Sequence, residues 1–170
     1  MKLFRILIAG PSGAGKTTIS EQIIGTLSRE GIRVSFIKDI PHDDADFDKK
    51  GKDTYRAISR GAVMSIGRSP SGSFINIRGN MDLDKLLQIA ENSSSVCIVE
   101  GFASEASSLH FDASIYLKVD QSEVKSSGAH AQVRSDKGRR DFDLEHGSLE
   151  LVDFIASLVH GNEEHERNSE

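Results

Sequence analysis

Residues Gly10 to Thr17 read GPSGAGKT and fit G-x-x-x-x-G-K-[ST] at every position. A loop of this composition suits one kind of chemistry, the wrapping of phosphate. Gly10, Gly13 and Gly15 allow the sharp backbone turns that aim N–H groups into a single concavity. A helix starting near Lys16 would add the positive end of its dipole. In this reading Pro11, Ser12 and Ala14 complete the cradle and the Lys16 ammonium reaches the β- and γ-phosphates. The Thr17 hydroxyl ligates Mg²⁺, and Thr18 hydrogen-bonds the α-phosphate.

Two acids at strand ends extend the site. Glu100 closes the apolar run VCIVE, where an acid beside the phosphates would hold Mg²⁺ or its waters. Asp39 follows VSFIK and is a second candidate for Mg²⁺ or for positioning water. Each acid also has a plain reading as a solvated strand end. Lys16, Glu100 and Asp39 are thus the candidate catalytic residues, and Thr17 and Glu100 the candidate metal ligands.

The stretch HDDADFDKKGKDTYR, residues 42–56, is dense in charge. One histidine and several acids without cysteine make a poor selective transition-metal site. Its place between a strand and a helix favours a switch-like loop whose acids face the Mg²⁺ and γ-phosphate side. Base recognition has two candidates. LKVD, Leu117 to Asp120, holds K-x-D at a strand end, and RSD ends in Asp136, which is preferred. A second chemistry competes: Arg134, Arg139 and Arg140 in RSDKGRR resemble the basic lid of a small-molecule kinase, against a plain reading as a solvated basic loop.

The elements that must position these groups follow from periodicity. LFRILIA reads as a buried strand. From Lys16 to Arg29, Ile19, Ile23, Ile24 and Leu27 share one helical face, with Gly31 as the stop. RVSFIK is a second strand, and Asp53 would cap a helix running to about Arg60. AVMSIG and SFINIR form a candidate antiparallel hairpin at a sheet edge. MDLDKLLQIA is an amphipathic helix, VCIVE a central parallel strand and ASIYLKV another strand, followed by a weaker one, HAQVR. A last helix spans about Ser148 to Val159. Strands alternating with helices predict an α/β fold, a mostly parallel sheet covered on both faces. The expected organisation is one nucleotide-binding domain over residues 1–160 with a polar, frayed tail over 161–170.

The bulk properties bound the rest. The chain has 170 residues, one cysteine and a formal net charge of -5, which argues against a general nucleic-acid binder. Cys97 has no partner for an internal disulfide and reads as a small buried hydrophobe. No apolar stretch is long enough to span a bilayer, and the short run at the start reads as a strand rather than a signal peptide. A cytoplasmic protein with no membrane or nucleic-acid partner is expected.

Taken in order, GPSGAGKTT, IKDIPHDDADFDKKGKDTYR, RGA and VEGF resemble the molybdopterin-guanine dinucleotide biosynthesis adapter proteins, the MobB family. The run D-x-D-K-x-G-K-D-T-Y is the specific part of the likeness. The resemblance implies a three-layer P-loop fold and a GTP-binding, weakly hydrolysing protein. It also implies an adapter that assists guanylyl transfer onto molybdopterin beside a nucleotidyltransferase partner, often as a homodimer. Carried over by position, the P-loop role falls on Gly10, Gly13, Gly15, Lys16, Thr17 and Thr18, and the magnesium-side acid on Glu100. The switch-like loop falls on His42, Asp43, Asp46, Asp48, Gly51, Lys52 and Asp53. The chain departs from the family at Asp39 and Pro41, where histidines are usual, and at Ala103, where lysine follows EGF.

Overall fold

A computed structural model describes residues 2–40, 48–102, 104–119, 129–144 and 147–167. In chain order the elements are β1 (Phe4–Ala9), α1 (Lys16–Arg29), β2 (Val34–Lys38), α2 (Asp53–Ser59), β3 (Met64–Ser69) and β4 (Gly72–Ile77). They continue with α3 (Leu83–Glu91), β5 (Val96–Glu100), a 3-10 turn at Ala106–Ser108, β6 (Ala113–Val119), β7 (Ala129–Ser135), β8 (Gly138–Asp143) and α4 (Leu149–Arg167). The chain divides into two compact units, Met1–Asp39 with Leu83–Glu170, and Ile40–Asp82.

The larger unit carries a six-stranded sheet in the order β2-β5-β1-β6-β7-β8. β2, β5, β1 and β6 run parallel, and β7 is antiparallel to both of its neighbours. β5 is buried along its whole length, as expected of a parallel strand covered on both faces. Alternate side chains of the sheet feed two cores. Phe4, Ile6, Ile8, Val96, Ile98 and Ile115 pack with Ile19, Ile23 and Leu27 of α1 and with Leu151 and Ile155 of α4. Leu7, Cys97 and Val99 pack on the other face with Leu83 and Leu87 of α3. The result is the expected three-layer α/β arrangement around a mostly parallel sheet.

The hairpin expected from AVMSIG and SFINIR forms, with Met64 opposite Ile77 and Ile66 opposite Ile75. It makes a separate two-stranded sheet within the smaller unit, rather than an edge of the main one. The antiparallel edge of the main sheet is instead β7–β8. RSDKGRR is therefore part of a β-hairpin, turning at Asp136-Lys137 with Gly138 at φ 103°. It is not a free basic loop. β8 escapes periodicity because GRRDFD buries one side chain alone, Phe142.

Two further boundaries differ from expectation. Asp53 is the first helical residue of α2 rather than its cap, and its carboxylate lies 3.5 Å from Arg56 one turn on. The last helix continues through residues 161–167 instead of fraying after Val159. Glu163, Glu164, Glu166 and Arg167 are good helix formers, and a single Gly161 costs only about 1 kcal/mol within a helix. No helix among the described residues is long and apolar enough to cross a membrane.

Candidate functional site

The Gly10–Thr17 loop, the candidate phosphate cradle, lies where β1 passes into α1. Gly10, Gly13 and Gly15 take φ values of 150°, 75° and 84°, and the last two lie in the left-handed region that glycine tolerates. Gly10 is needed for closeness as well: a Cβ there would lie 2.8 Å from the Leu117 carbonyl oxygen of β6. Ala14 is buried and ties the loop to the core, while Pro11, Ser12, Gly13, Gly15 and Thr18 are exposed. α1 opens at Gly15 with no side-chain cap and no acid in its first turn. Its leading N–H groups are therefore left to an anion from outside, the arrangement that suits phosphate. Lys16 folds back over the loop, and its ammonium donates to the carbonyls of Gly10 (3.0 Å) and Pro11 (2.8 Å).

Register delivers the acid. Glu100 is the Cα partner of Ile8 on one side and of Lys38 on the other. In parallel strands such partners point to the same face, so the Glu100 side chain rises toward α1. It is 4 % exposed. The Thr17 hydroxyl lies 3.2 and 3.3 Å from its two oxygens. The Ser20 hydroxyl lies 3.0 Å from the Lys16 carbonyl and 3.4 Å from Glu100 Oε2. The Lys38 ammonium approaches from β2, 3.0 Å from Glu100 Oε1 and 3.2 Å from Thr17 Oγ1. A hydroxyl and a buried carboxylate form an all-oxygen donor pair, which suits a hard cation such as Mg²⁺.

Behind Glu100 the chain turns abruptly. Gly101 has φ 95° and Phe102 φ 54°, the one non-glycine residue with positive φ among those described. A Cβ on Gly101 would meet Asp39 Cβ at 2.7 Å. Phe102 adopts a conformation costing about 1–2 kcal/mol. Its ring is buried in the second core, which offsets that strain.

The other sequence candidates fall differently. Lys16, Thr17 and Glu100 come together at one end of the sheet, and Asp39 does not join them. Its exposed carboxylate makes no contact with the three among the described residues, and it meets the site through its backbone, whose N–H donates to the Glu100 carbonyl at 2.9 Å. The side-chain contact belongs to the residue before it, Lys38. Neither Lys38 nor Ser20 was among the sequence candidates. The signal for Lys38 was strand alternation, which sends adjacent residues to opposite faces.

Asp136 lies at the wrong end. Ser135 pairs with Ala113 at the start of β6, whereas Gly10 abuts Leu117 near its finish. Four strand residues span about 13 Å, and a nucleotide held at Gly10–Thr18 lies beyond the far end. Asp136 instead lines a cleft of about 620 Å³ with His110, Asp112, Arg134 and His165. The arginines of the supposed lid are displaced with it. Arg134 lies over Tyr116, and Arg140 over Phe142 and Phe154. The remaining base candidate, Asp120, lies outside the described residues, as do residues 41–47 and Ala103. Among the described residues no group of three or more His, Cys, Asp or Glu could hold a metal.

The chain matches the family model for Molybdopterin guanine dinucleotide synthesis protein B over residues 5–109. It is 34 % identical over 105 residues to the Molybdopterin-guanine dinucleotide biosynthesis adapter protein of Escherichia coli K12, covering 59 % of each chain. It is 36 % identical over 101 residues to the adapter protein of Haemophilus influenzae, covering 58 % of this chain and 56 % of that one. These matches span less than two thirds of the relatives' own lengths. A crystal structure of Bacillus subtilis MobB shares the fold with a TM-score of 0.52 at 21 % identity, over 68 % of this chain and 81 % of that one.

Proposed function

The chain belongs to the molybdopterin-guanine dinucleotide synthesis protein B family, and on that premise we propose that it binds GTP with Mg²⁺ at the Gly10–Thr18 loop. It acts in the cytoplasm as an adapter that assists guanylyl transfer onto molybdopterin, with slow GTP hydrolysis. The observation that carries the nucleotide reading is the Thr17–Glu100 contact beside an uncapped α1 N-terminus. The backbone N–H groups of Gly13, Gly15, Lys16 and Thr17 take the phosphate oxygens. Lys16 leaves the Gly10 and Pro11 carbonyls to neutralise the β- and γ-phosphates. Thr17 and Glu100 fit Mg²⁺, which when bound would neutralise charge at the γ-phosphate. Ser20 and the β5 backbone hold Glu100 in place.

Arg134, Arg139 and Arg140, the candidate lid, lie instead on the β7–β8 hairpin, with Arg134 over Tyr116 and Arg140 over Phe142 and Phe154, which favours the adapter over a kinase. For partners, the reading names a molybdopterin guanylyltransferase and a second copy of this chain. The smaller unit offers an apolar strand face for such contacts, with Met64, Ile66, Ile75 and Ile77 all exposed. The test is calorimetric titration with GTP and ATP in Mg²⁺, repeated on Lys16→Ala, then capture of a guanylyltransferase by the tagged chain. GTP should bind more tightly than ATP, and the variant should lose both while keeping its melting temperature. Equal affinities for the two nucleotides would support a base-indifferent protein or a kinase. Undiminished GTP affinity in Lys16→Ala would remove the phosphate-site assignment.

A further inference from the structure

We propose that Lys38 is a tethered cation that occupies the Mg²⁺ side of the site in the nucleotide-free protein and must withdraw when Mg²⁺ and nucleotide bind. This rests on the nucleotide reading above. Lys38 touches the same two oxygen-bearing groups assigned to the metal, Glu100 Oε1 at 3.0 Å and Thr17 Oγ1 at 3.2 Å.

The placement is built into the fold. Lys38 and Glu100 are direct register partners on adjacent parallel strands, so the lysine stem leaves the backbone on the Glu100 side. The Glu100 side chain is 5 % exposed, and a buried carboxylate demands a counter-charge. Lys38, at 41 %, supplies one from the solvent side. Its flexible stem can retreat into water without opening a cavity. Its positive charge and a divalent cation cannot share Glu100 Oε1 and Thr17 Oγ1 at these distances without strong repulsion. Occupancy by one excludes the other. Lys38 therefore holds Glu100 neutralised and in position while the site is empty, and it weakens the apparent affinity for Mg²⁺ by competition.

The test follows a fluorescent GTP analogue at saturation while Mg²⁺ is titrated, in wild type, Lys38→Met, Lys38→Gln and Lys38→Arg. The Mg²⁺ midpoint should fall about tenfold in the two neutral variants and stay near wild type in Lys38→Arg. Without nucleotide, Lys38→Met should melt lower than wild type, and the double variant Lys38→Met/Glu100→Gln should recover part of that loss. An unchanged or raised midpoint in both neutral variants would overturn the proposal, as would a double variant no more stable than Lys38→Met. If wild type binds no guanine nucleotide with or without Mg²⁺, the parent reading fails and takes this one with it. If wild type binds and the midpoints coincide, the role of Lys38 alone is refuted.

Discussion

Thr17 Oγ1 and Glu100 Oε1 lie 3.2 Å apart although 83 residues separate them in the chain. The contact joins the first turn of α1 to the end of β5, and both flank β1. Glu100→Gln keeps the shape and the Thr17 contact but removes the charge. GTP affinity measured in EDTA should be nearly unchanged. The gain in affinity on adding Mg²⁺ should shrink by at least about tenfold. A variant with wild-type Mg²⁺ dependence would show that Glu100 is not the magnesium-side acid.

Gly101 is required by geometry. Its φ of 95° and the 2.7 Å approach to Asp39 Cβ leave no room for a methyl group. Gly101→Ala should cost about 2 kcal/mol or more, lowering the melting temperature by roughly 4–8 °C. Gly25, inside α1, would meet nothing within 4 Å, and Gly25→Ala should stabilise by about 0.5–1 kcal/mol. Equal melting shifts in the two variants would contradict the described turn after β5.

Asp136 sits in the turn between β7 and β8, at the end of the sheet away from Gly10–Thr17. Asp136→Ala should alter the ratio of GTP to ATP affinity by less than about twofold. A loss of guanine preference in competition titrations would require the base to reach across the sheet, against the register of β6 and β7.

Cys97 is buried between the sheet and α3, and burial pushes its thiol from 9.0 up to about 12. The thiolate is the reactive form, so the folded protein should resist alkylation at pH 8 and react only on unfolding. The folded value lies above the unfolded one. The stability this contributes is intact below about pH 9 and is lost as pH rises towards 12. Rapid labelling of native protein at pH 8, followed by mass spectrometry, would contradict this placement.

Much of the fold was legible because its signals are local. LFRILIA and VCIVE are continuous apolar runs, as doubly covered parallel strands must be. The α1 boundaries follow from one apolar stripe between Gly15 and Gly31. β8 was not legible, since an edge strand with one inward side chain leaves hardly any period to detect. The hairpin β3–β4 was legible as a pair but not as a sheet of its own, because strand patterning does not say which edge a pair will join.

Within the site, the division is sharper. The residues of the proposed phosphate loop can be named from sequence, because such a cradle is a local backbone shape needing glycines, a lysine and a hydroxyl at set spacing. Glu100 could be inferred as a strand-end acid for the same reason. Tertiary structure alone chose Lys38 over Asp39, through the register of β2 on β5 and the alternation of side chains. It also carried Asp136 to the far end of the sheet, because β7 returns antiparallel to β6. Distance along a strand is written in the sequence. Which residues meet across strands depends on order, direction and register, and these arise only when the whole sheet buries its two faces.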